Sequence, residues 1–208
     1  MALMDLPLGD RLRVLQDLLS CTGKMYGWCY DADGKLLGTN CPDTVLDNVF
    51  TVTGCMQTAK DHVKEHREPI LISIPYGLSW SAAFEFEEDV LQRIHVFGPI
   101  VSVELSPEAI GRAIQSASIP QRWRPKLVKI LQRIPVVSTV DFFRYTLMLH
   151  YCVTGEKLTN ADIMFYEPAA QKDGKEAALR KDRMNTYMRE LALMRMVSEG
   201  DINYKTVL

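Results

Sequence analysis

The sequence predicts an α+β fold in which helices cover one face of an antiparallel sheet of about five strands. Three observations support this prediction. Several stretches of the front half alternate apolar and polar residues, as half-buried strands do. These stretches come in pairs joined by turn residues, which is typical of hairpins. From about Ser106 onward, apolar residues instead recur at the three- and four-residue spacing of helices.

The chain begins with a predicted amphipathic helix over residues 10–20. A hairpin follows, because Tyr26, Trp28 and Tyr30 alternate with other residues and Asp33-Gly34 is a favoured two-residue turn. The returning strand then starts with two leucines.

Two short helices and a strand come next. One helix is expected around residues 44–49. Thr53 is expected to cap a second helix that runs from Gly54 to about His66. The short apolar stretch PILISIP is then predicted to form a strand.

The stretch LSWSAAFEFEE is the next predicted strand, and LQRIHVFGPIVS returns beside it. If the two pair about Asp89, Phe84 faces Ile94, and Ala82 faces Val96. The same register places Glu85 opposite Arg93, a pair of opposite charges. The alternation of apolar residues and the pairing of opposite charges therefore predict the same strand register.

The remaining chain is predicted as helices separated by a linker. Helices are expected over residues 106–117, 121–134 and 138–153, the last capped by Ser138 and ended by Gly155. The predicted organisation is a first domain over 1–155, a linker over 156–174, and a helix with a connector over 175–208.

The composition is that of a globular protein that stays in the cytoplasm. The net charge is −2, with 47% hydrophobic residues, so general attraction to nucleic acid is not expected. Five irregularly spaced cysteines argue against a disulfide framework and for a reducing compartment. The amino terminus lacks the apolar core of a signal peptide, and no stretch suits a membrane helix.

A ligand cavity is predicted over the sheet face that carries large, small and large side chains in turn. The predicted contacts are Trp80, Ala82, Phe84, Tyr26 and Trp28 from the strands, and Cys55 and His62 from the covering helix. A plain filled core is the alternative interpretation of the same aromatic residues.

The sequence gives weaker indications of a metal site or of a catalytic site than of a ligand cavity. Cys55, His62 and His66 share one helical face, and two histidines four residues apart can bind zinc. No partner motif accompanies them, so we expect no metal and no cofactor. His95 falls on the polar face of its strand, and no motif marks it as a catalytic base. The protein is therefore not expected to be an enzyme.

Several phrases resemble the amino-terminal region of AraC/XylS-family transcription regulators of anaerobic gut Firmicutes. They are NCPD, TGCMQ, PILISIPYGLSWSAAFEFEE, RIHVFGPI, FFRYTLMLHYCVTGEKLT and LMRMVSEGDINY, which together span residues 40–204. The order of the predicted elements is similar to that of PAS and GAF sensor domains, and the PocR-type sensor is the nearest fold analogy.

The resemblance implies an effector-sensing region followed by a DNA-binding domain with two helix-turn-helix units, expected to lie outside these 208 residues. An unknown small molecule would bind between sheet and helices, and the signal would pass to that domain. DNA would be contacted only there, and no membrane is involved. A ligand-free structural or dimerisation module, or a small enzyme on a PAS-like fold, are the alternatives.

The last predicted helix carries a seam for dimerisation. Met184, Tyr187, Leu191 and Met194 recur at coiled-coil spacing. A homodimer suits a family that reads paired DNA half-sites. Docking of this helix on its own domain is the alternative.

Overall fold

The computed structural model describes residues 3–20, 25–74, 77–102, 108 and 121–166. These residues form an α+β fold with a six-stranded mixed sheet and five α-helices. The strands are β1 (Tyr26–Asp31), β2 (Leu36–Thr39), β3 (Ile70–Ser73), β4 (Leu78–Glu87), β5 (Val90–Val101) and β6 (Met164–Tyr166). The helices are α1 (Leu8–Ser20), α2 (Thr44–Val52), α3 (Cys55–His62), α4 (Arg124–Leu131) and α5 (Thr139–Thr154).

The strands lie in the order β2-β1-β5-β4-β3-β6. All neighbouring pairs are antiparallel except β3 and β6, which are parallel. The first predicted hairpin is confirmed as β1 and β2, and its turn residue Gly34 has a φ of 84°. Glycine suits that position because a positive φ is costly for residues with a Cβ atom.

The predicted register of the β4–β5 hairpin is confirmed. Phe84 pairs with Ile94, and Ala82 pairs with Val96. Glu85 lies opposite Arg93 as the charge pattern required. The two residues of the turn, 88 and 89, have φ angles of 46° and 68°, as a tight hairpin turn of this twist needs.

Helices cover both faces of the sheet, so the prediction of helices over one face is wrong. The core face, which carries Trp80 and Phe84, is covered by α2, α3 and α4. The second face carries Ser81 and His95, both buried. There α5 packs on β3 and β4, and α1 packs on α5. The small, partly polar side chains of the second face resemble an exposed surface in sequence, although a helix covers them.

The helix boundaries differ from the prediction at one cap. Thr53 does not begin α3; it ends α2, and its hydroxyl donates a hydrogen bond to the Val49 carbonyl at 2.6 Å. Gly54, with a φ of 83°, makes the turn into α3, which ends at His62. At the other predicted cap, the Ser138 hydroxyl accepts a hydrogen bond from the amide of the residue three positions later, as expected.

The segment predicted as a linker contains structure in its first half. A short 3-10 helix spans Asn160–Asp162, and β6 extends the sheet beyond β3 to a sixth strand. Apart from residue 108, the helix predicted over 106–117 lies outside the described residues. The helix predicted over 175–199 also lies outside them, and so do Met184, Tyr187, Leu191 and Met194. Within the described ranges, none of the helices is both long enough and apolar enough to cross a membrane.

Candidate functional site

The residues predicted to line a cavity on the core face are packed together. No side-chain surface is exposed on Trp80, Ala82, Phe84 and Cys55. Phe50 of α2, 1% exposed, lies between two aromatic rings of the sheet. Its ring centroid is 5.7 Å from that of Trp80 and 6.0 Å from that of Tyr30. Aromatic side chains therefore fill the centre of this face.

The other predicted contacts have structural partners of their own. The Trp28 indole donates a hydrogen bond to Asp47 Oδ1 at 2.7 Å, and Tyr26 packs edge-on against Trp28. His62 Nε2 lies 2.9 Å from the Glu68 carbonyl oxygen, and its ring lies beside Phe84. A ligand-binding role for these residues stays a prediction.

The helical face that carries a thiol and two imidazoles does not form a metal site in the described residues. His66 lies beyond the end of α3, where its ring stacks on that of His62 at 5.1 Å. Burial, with the neighbouring imidazole, lowers the pKa of His62. In the part of the chain that is described, no group of three or more His, Cys, Asp or Glu residues could hold a metal ion.

A pocket of about 460 Å³ lies over the second face, between α1 and strands β1, β2 and β5. We call it the α1 pocket. Of the residues predicted as ligand contacts, it includes only Trp28. Its apolar side chains are Leu8, Leu12, Phe97 and Leu149; Trp28 also borders the pocket, although its indole lies on the core face. Its polar lining consists of Gln16, Cys29, Thr39, Asn40, Arg93 and His95. The volume lies in the range of small-molecule sites, roughly 300–1,000 Å³.

Two glycines keep the α1 pocket open. A Cβ atom added at Gly9 of α1 or at Gly38 of β2 would meet nothing within 4 Å. At the opposite end the packing is close, because a Cβ atom on Gly27 would lie 2.5 Å from a Phe97 ring carbon and 2.7 Å from Gln16 Nε2. Helix α1 therefore touches the sheet near Gly27 and leaves space above Gly38.

The buried imidazole of His95 lines the α1 pocket, and the half-buried carboxylate of Glu85 lies beside it. His95 Nε2 lies 2.9 Å from Glu85 Oε2, and Arg93 Nη1 lies 2.9 Å from Glu85 Oε1. The His95 side chain is 7% exposed and that of Glu85 is 20% exposed. The hydrogen bond from His95 chiefly lowers the pKa of Glu85, with help from Arg93. The imidazole and Arg93 thus both stabilise the ionised carboxylate of Glu85.

Cys29 completes this cluster. It is the cross-strand partner of His95 in the β1–β5 pairing, so the two side chains stand beside each other on the second face. Burial opposes the charged form of His95, but the interactions with Cys29 and Glu85 outweigh it and raise the pKa of the imidazole. On its other side Cys29 pairs with Gly38 of β2. The thiol thus lies between an imidazole and the open space of the pocket.

Reasoning from the sequence did not find this site, although its signals are present. The register that paired Glu85 with Arg93 also puts His95 on the same face, two residues further along β5. Cys29 alternates with the aromatic residues of β1 and so falls on the opposite face from them. What the sequence did not show is that α1 covers this face.

Comparison with protein-family models, with curated proteins and with solved structures finds no match for this chain.

Proposed function

We propose that residues 1–155 form a sensor domain that binds a small molecule in the α1 pocket. The observation that carries this proposal is the pocket itself. It is lined by apolar side chains and by polar side chains that include Arg93 and His95, which is the usual composition of a small-molecule site. Its ligand would lie between the sheet and a helix, as the sequence led us to expect, but on the second face.

The fold supports a PAS-type sensor. The first five strands follow the order 2-1-5-4-3, and α2 and α3 lie between the second and third strands, as in PAS domains. Strand β6 departs from that plan. With the resemblance to AraC/XylS-family regulators, this favours the effector-sensing region of a cytoplasmic transcription regulator rather than an enzyme. Four free cysteines among the described residues suit a reducing compartment.

A ligand in the α1 pocket could act on the packing of α1. The pocket is bounded by Leu12 of α1 and Leu149 of α5, two helices that pack on each other. A ligand shifts an equilibrium only if it binds one conformation more tightly than another. A molecule that bridges α1 and β5 would stabilise the conformation in which α1 lies on the sheet.

Dimerisation through the seam Met184, Tyr187, Leu191 and Met194 belongs to the same proposal. It rests on the spacing of these residues in the sequence. Sedimentation of the full chain and of Leu191→Glu tests it. We expect a dimer for the first and a monomer for the second. If both sediment as monomers, or both as dimers of equal affinity, this seam is not the contact.

Filling the pocket from Gly38 gives the sharpest test of ligand binding. Gly38→Ala, Gly38→Val and Gly38→Leu add increasing volume where a Cβ atom meets nothing. The full chain is screened by thermal denaturation against small ketones, alcohols and carboxylic acids that fit the pocket. A compound at 100 times its Kd stabilises the folded chain by about 2.7 kcal/mol. We expect this stabilisation to shrink with each larger side chain and to vanish in Gly38→Leu.

The same series contains its own control. The variants without compound should be as stable as the wild type or more stable, because glycine weakens a strand and branched residues favour one. Equal stabilisation of wild type and Gly38→Leu by every active compound would place the binding site elsewhere. The absence of any active compound for the wild type would count against the sensor proposal itself.

A further inference from the structure

The cluster in the α1 pocket has the parts of an activated thiol. A nucleophilic side chain is activated when a base contacts it and a third group orients the base. Here Cys29 lies directly opposite His95 on the neighbouring strand, and His95 Nε2 lies 2.9 Å from Glu85 Oε2. The three residues come from three adjacent strands, β1, β5 and β4, so the sheet itself fixes their spacing.

Cys29 differs from the other described cysteines in its surroundings. Cys41, Cys55 and Cys152 are buried, whereas Cys29 is only partly buried and lines the pocket. Burial raises the pKa of Cys41 to about 11 and that of Cys55 to about 12, and it also raises the pKa of Cys152. Because the thiolate is the reactive form, these three thiols are poor nucleophiles.

The open side of Cys29 faces the space above Gly38. Directly opposed residues of an antiparallel pair have Cβ atoms about 4.5–5.5 Å apart, so a side chain at position 38 would stand beside the thiol. Glycine leaves that place empty, and Leu8 and Leu12 of α1 contribute apolar walls to the same pocket. A flat apolar molecule with one polar group fits between them.

We propose that Cys29 captures an electrophilic ligand, an α,β-unsaturated ketone, by conjugate addition in the α1 pocket. This inference rests on the proposed function, since it names the chemical class of the ligand for the same site. With the imidazole neutral, the Cys29 proton passes to His95, and the sulfur attacks the β-carbon of the ligand. A C–S bond forms as the C=C π bond breaks, and the electron pair moves onto the enolate. The imidazolium then returns the proton to the α-carbon.

The addition balances without any co-reactant. The thiol S–H adds across one C=C bond, so nothing is oxidised or reduced and no group leaves. Glu85 stabilises the imidazolium that holds the proton between the two steps, and Arg93 keeps Glu85 ionised and in place. Glu85 is thus a positioning residue, because it acts through His95 and does not touch the reacting carbon.

Benzylideneacetone is the probe, and benzylacetone, which lacks the C=C bond, is its matched control. After incubation with the full chain, trypsin separates the relevant cysteines because Lys24 lies between Cys21 and Cys29. The peptide over residues 25–35 contains Cys29 as its one cysteine. We expect one ketone on that peptide after treatment with benzylideneacetone, at a rate at least about tenfold above the other cysteine peptides, and none after treatment with benzylacetone.

The His95→Gln variant tests the role of the imidazole. Loss of a general acid–base typically lowers a rate by about 10²–10⁴-fold, so we expect labelling of Cys29 to slow by at least about 10². The rise of its labelling rate should also move to higher pH, because His95 no longer takes the thiol proton. Circular dichroism checks that the variant folds. Glu85→Gln is the second variant. It should slow the labelling of Cys29 and move the pH dependence of the labelling rate in the same direction as His95→Gln does, but by a smaller amount.

Three outcomes would overturn the inference. Cys29 could label no faster than the buried cysteines, His95→Gln could leave the rate and its pH profile unchanged, or Gly38→Leu could leave the rate unchanged. The first two results would show that the thiol is not activated, and the third that capture does not occur in the pocket. If benzylacetone or another saturated compound still stabilises the wild type but not Gly38→Leu, the sensor proposal stands while covalent capture fails.

Discussion

Phe50→Ala is expected to be among the most destabilising substitutions in this domain. The Phe50 ring is 1% exposed and lies against two aromatic rings of the core face, those of Tyr30 and Trp80. Alanine removes the ring from the centre of the contact between α2 and the sheet. The cavity that remains borders two buried polar atoms, Tyr30 Oη and Trp80 Nε1, for which the described residues provide no hydrogen-bond partner.

The magnitude follows from the burial and from the two ring contacts. Truncating a buried phenylalanine to alanine costs about 3–5 kcal/mol. Each well-placed aromatic pair adds about 0.5–1.5 kcal/mol beyond the area that it buries. With two such pairs lost, we expect the upper part of the range, about 4–5 kcal/mol. Water bound to the two polar atoms would recover a part of this.

Urea denaturation followed by circular dichroism measures the effect. At a slope of about 2 kcal/mol per molar urea, a loss of about 4 kcal/mol lowers the midpoint by about 2 M. Phe50→Leu is the control, because it keeps apolar volume while losing both ring contacts, and its loss should be less than half as large. A loss below about 2 kcal/mol for Phe50→Ala would show that the core face is not filled by this ring.

The remaining predictions concern other parts of the sheet and its helices. Glu85→Gln should cost about 1–3 kcal/mol near pH 5.5 and less near pH 8.5 in urea titrations. The raised pKa of His95 gives stability that is complete below about 6.5 and is lost as the pH rises through the folded value. The lowered pKa of Glu85 gives stability that is present above about 4.5 and is lost as the pH falls; equal losses at both pH values would refute the ion pair. Gly155→Ala should lower the free energy of unfolding by about 1 kcal/mol or more, because φ is 81° and the new Cβ atom would lie 2.7 Å from a methionine methyl group. Gly9→Ala, where the new Cβ atom meets nothing within 4 Å, should instead stabilise α1 by up to about 1 kcal/mol. Ala82→Phe should cost about 1–3 kcal/mol by overpacking, yet leave labelling in the α1 pocket intact, and a lost label would link the two faces.

The β4–β5 hairpin could be predicted from sequence because two independent signals fixed it. Alternation alone allows a slip by two residues, which keeps every side chain on its face. The charge pair Glu85 and Arg93 removes that freedom, since a slip would part the two charges. The pairing of Ala82 with Val96 then follows without further information.

The second face could not be predicted because its buried residues do not look buried. Ser81 and Ala83 are covered by α5, yet their small or polar side chains are also typical of a solvent-facing strand surface. Small residues there allow a helix to approach the sheet closely. The alternation of residues in a strand shows how polar each sheet face is, but it does not show whether a helix packs on that face. The sequence therefore could not assign α1 and α5 to the second face.

The same distinction explains why the sequence did not point to the pocket on the second face. Aromatic residues on the core face suggested the wall of a pocket, but large rings at neighbouring positions fill space when a helix supplies another ring such as Phe50. Open space arises instead beside glycine: Gly9 of α1 and Gly38 of β2 both line the pocket, and a Cβ atom added at either would meet nothing within 4 Å. The side chains that remain beside that space, Cys29 and His95, are then the ones that a ligand can reach. In this fold the filled face therefore provides stability, and the face with missing side chains provides the candidate site.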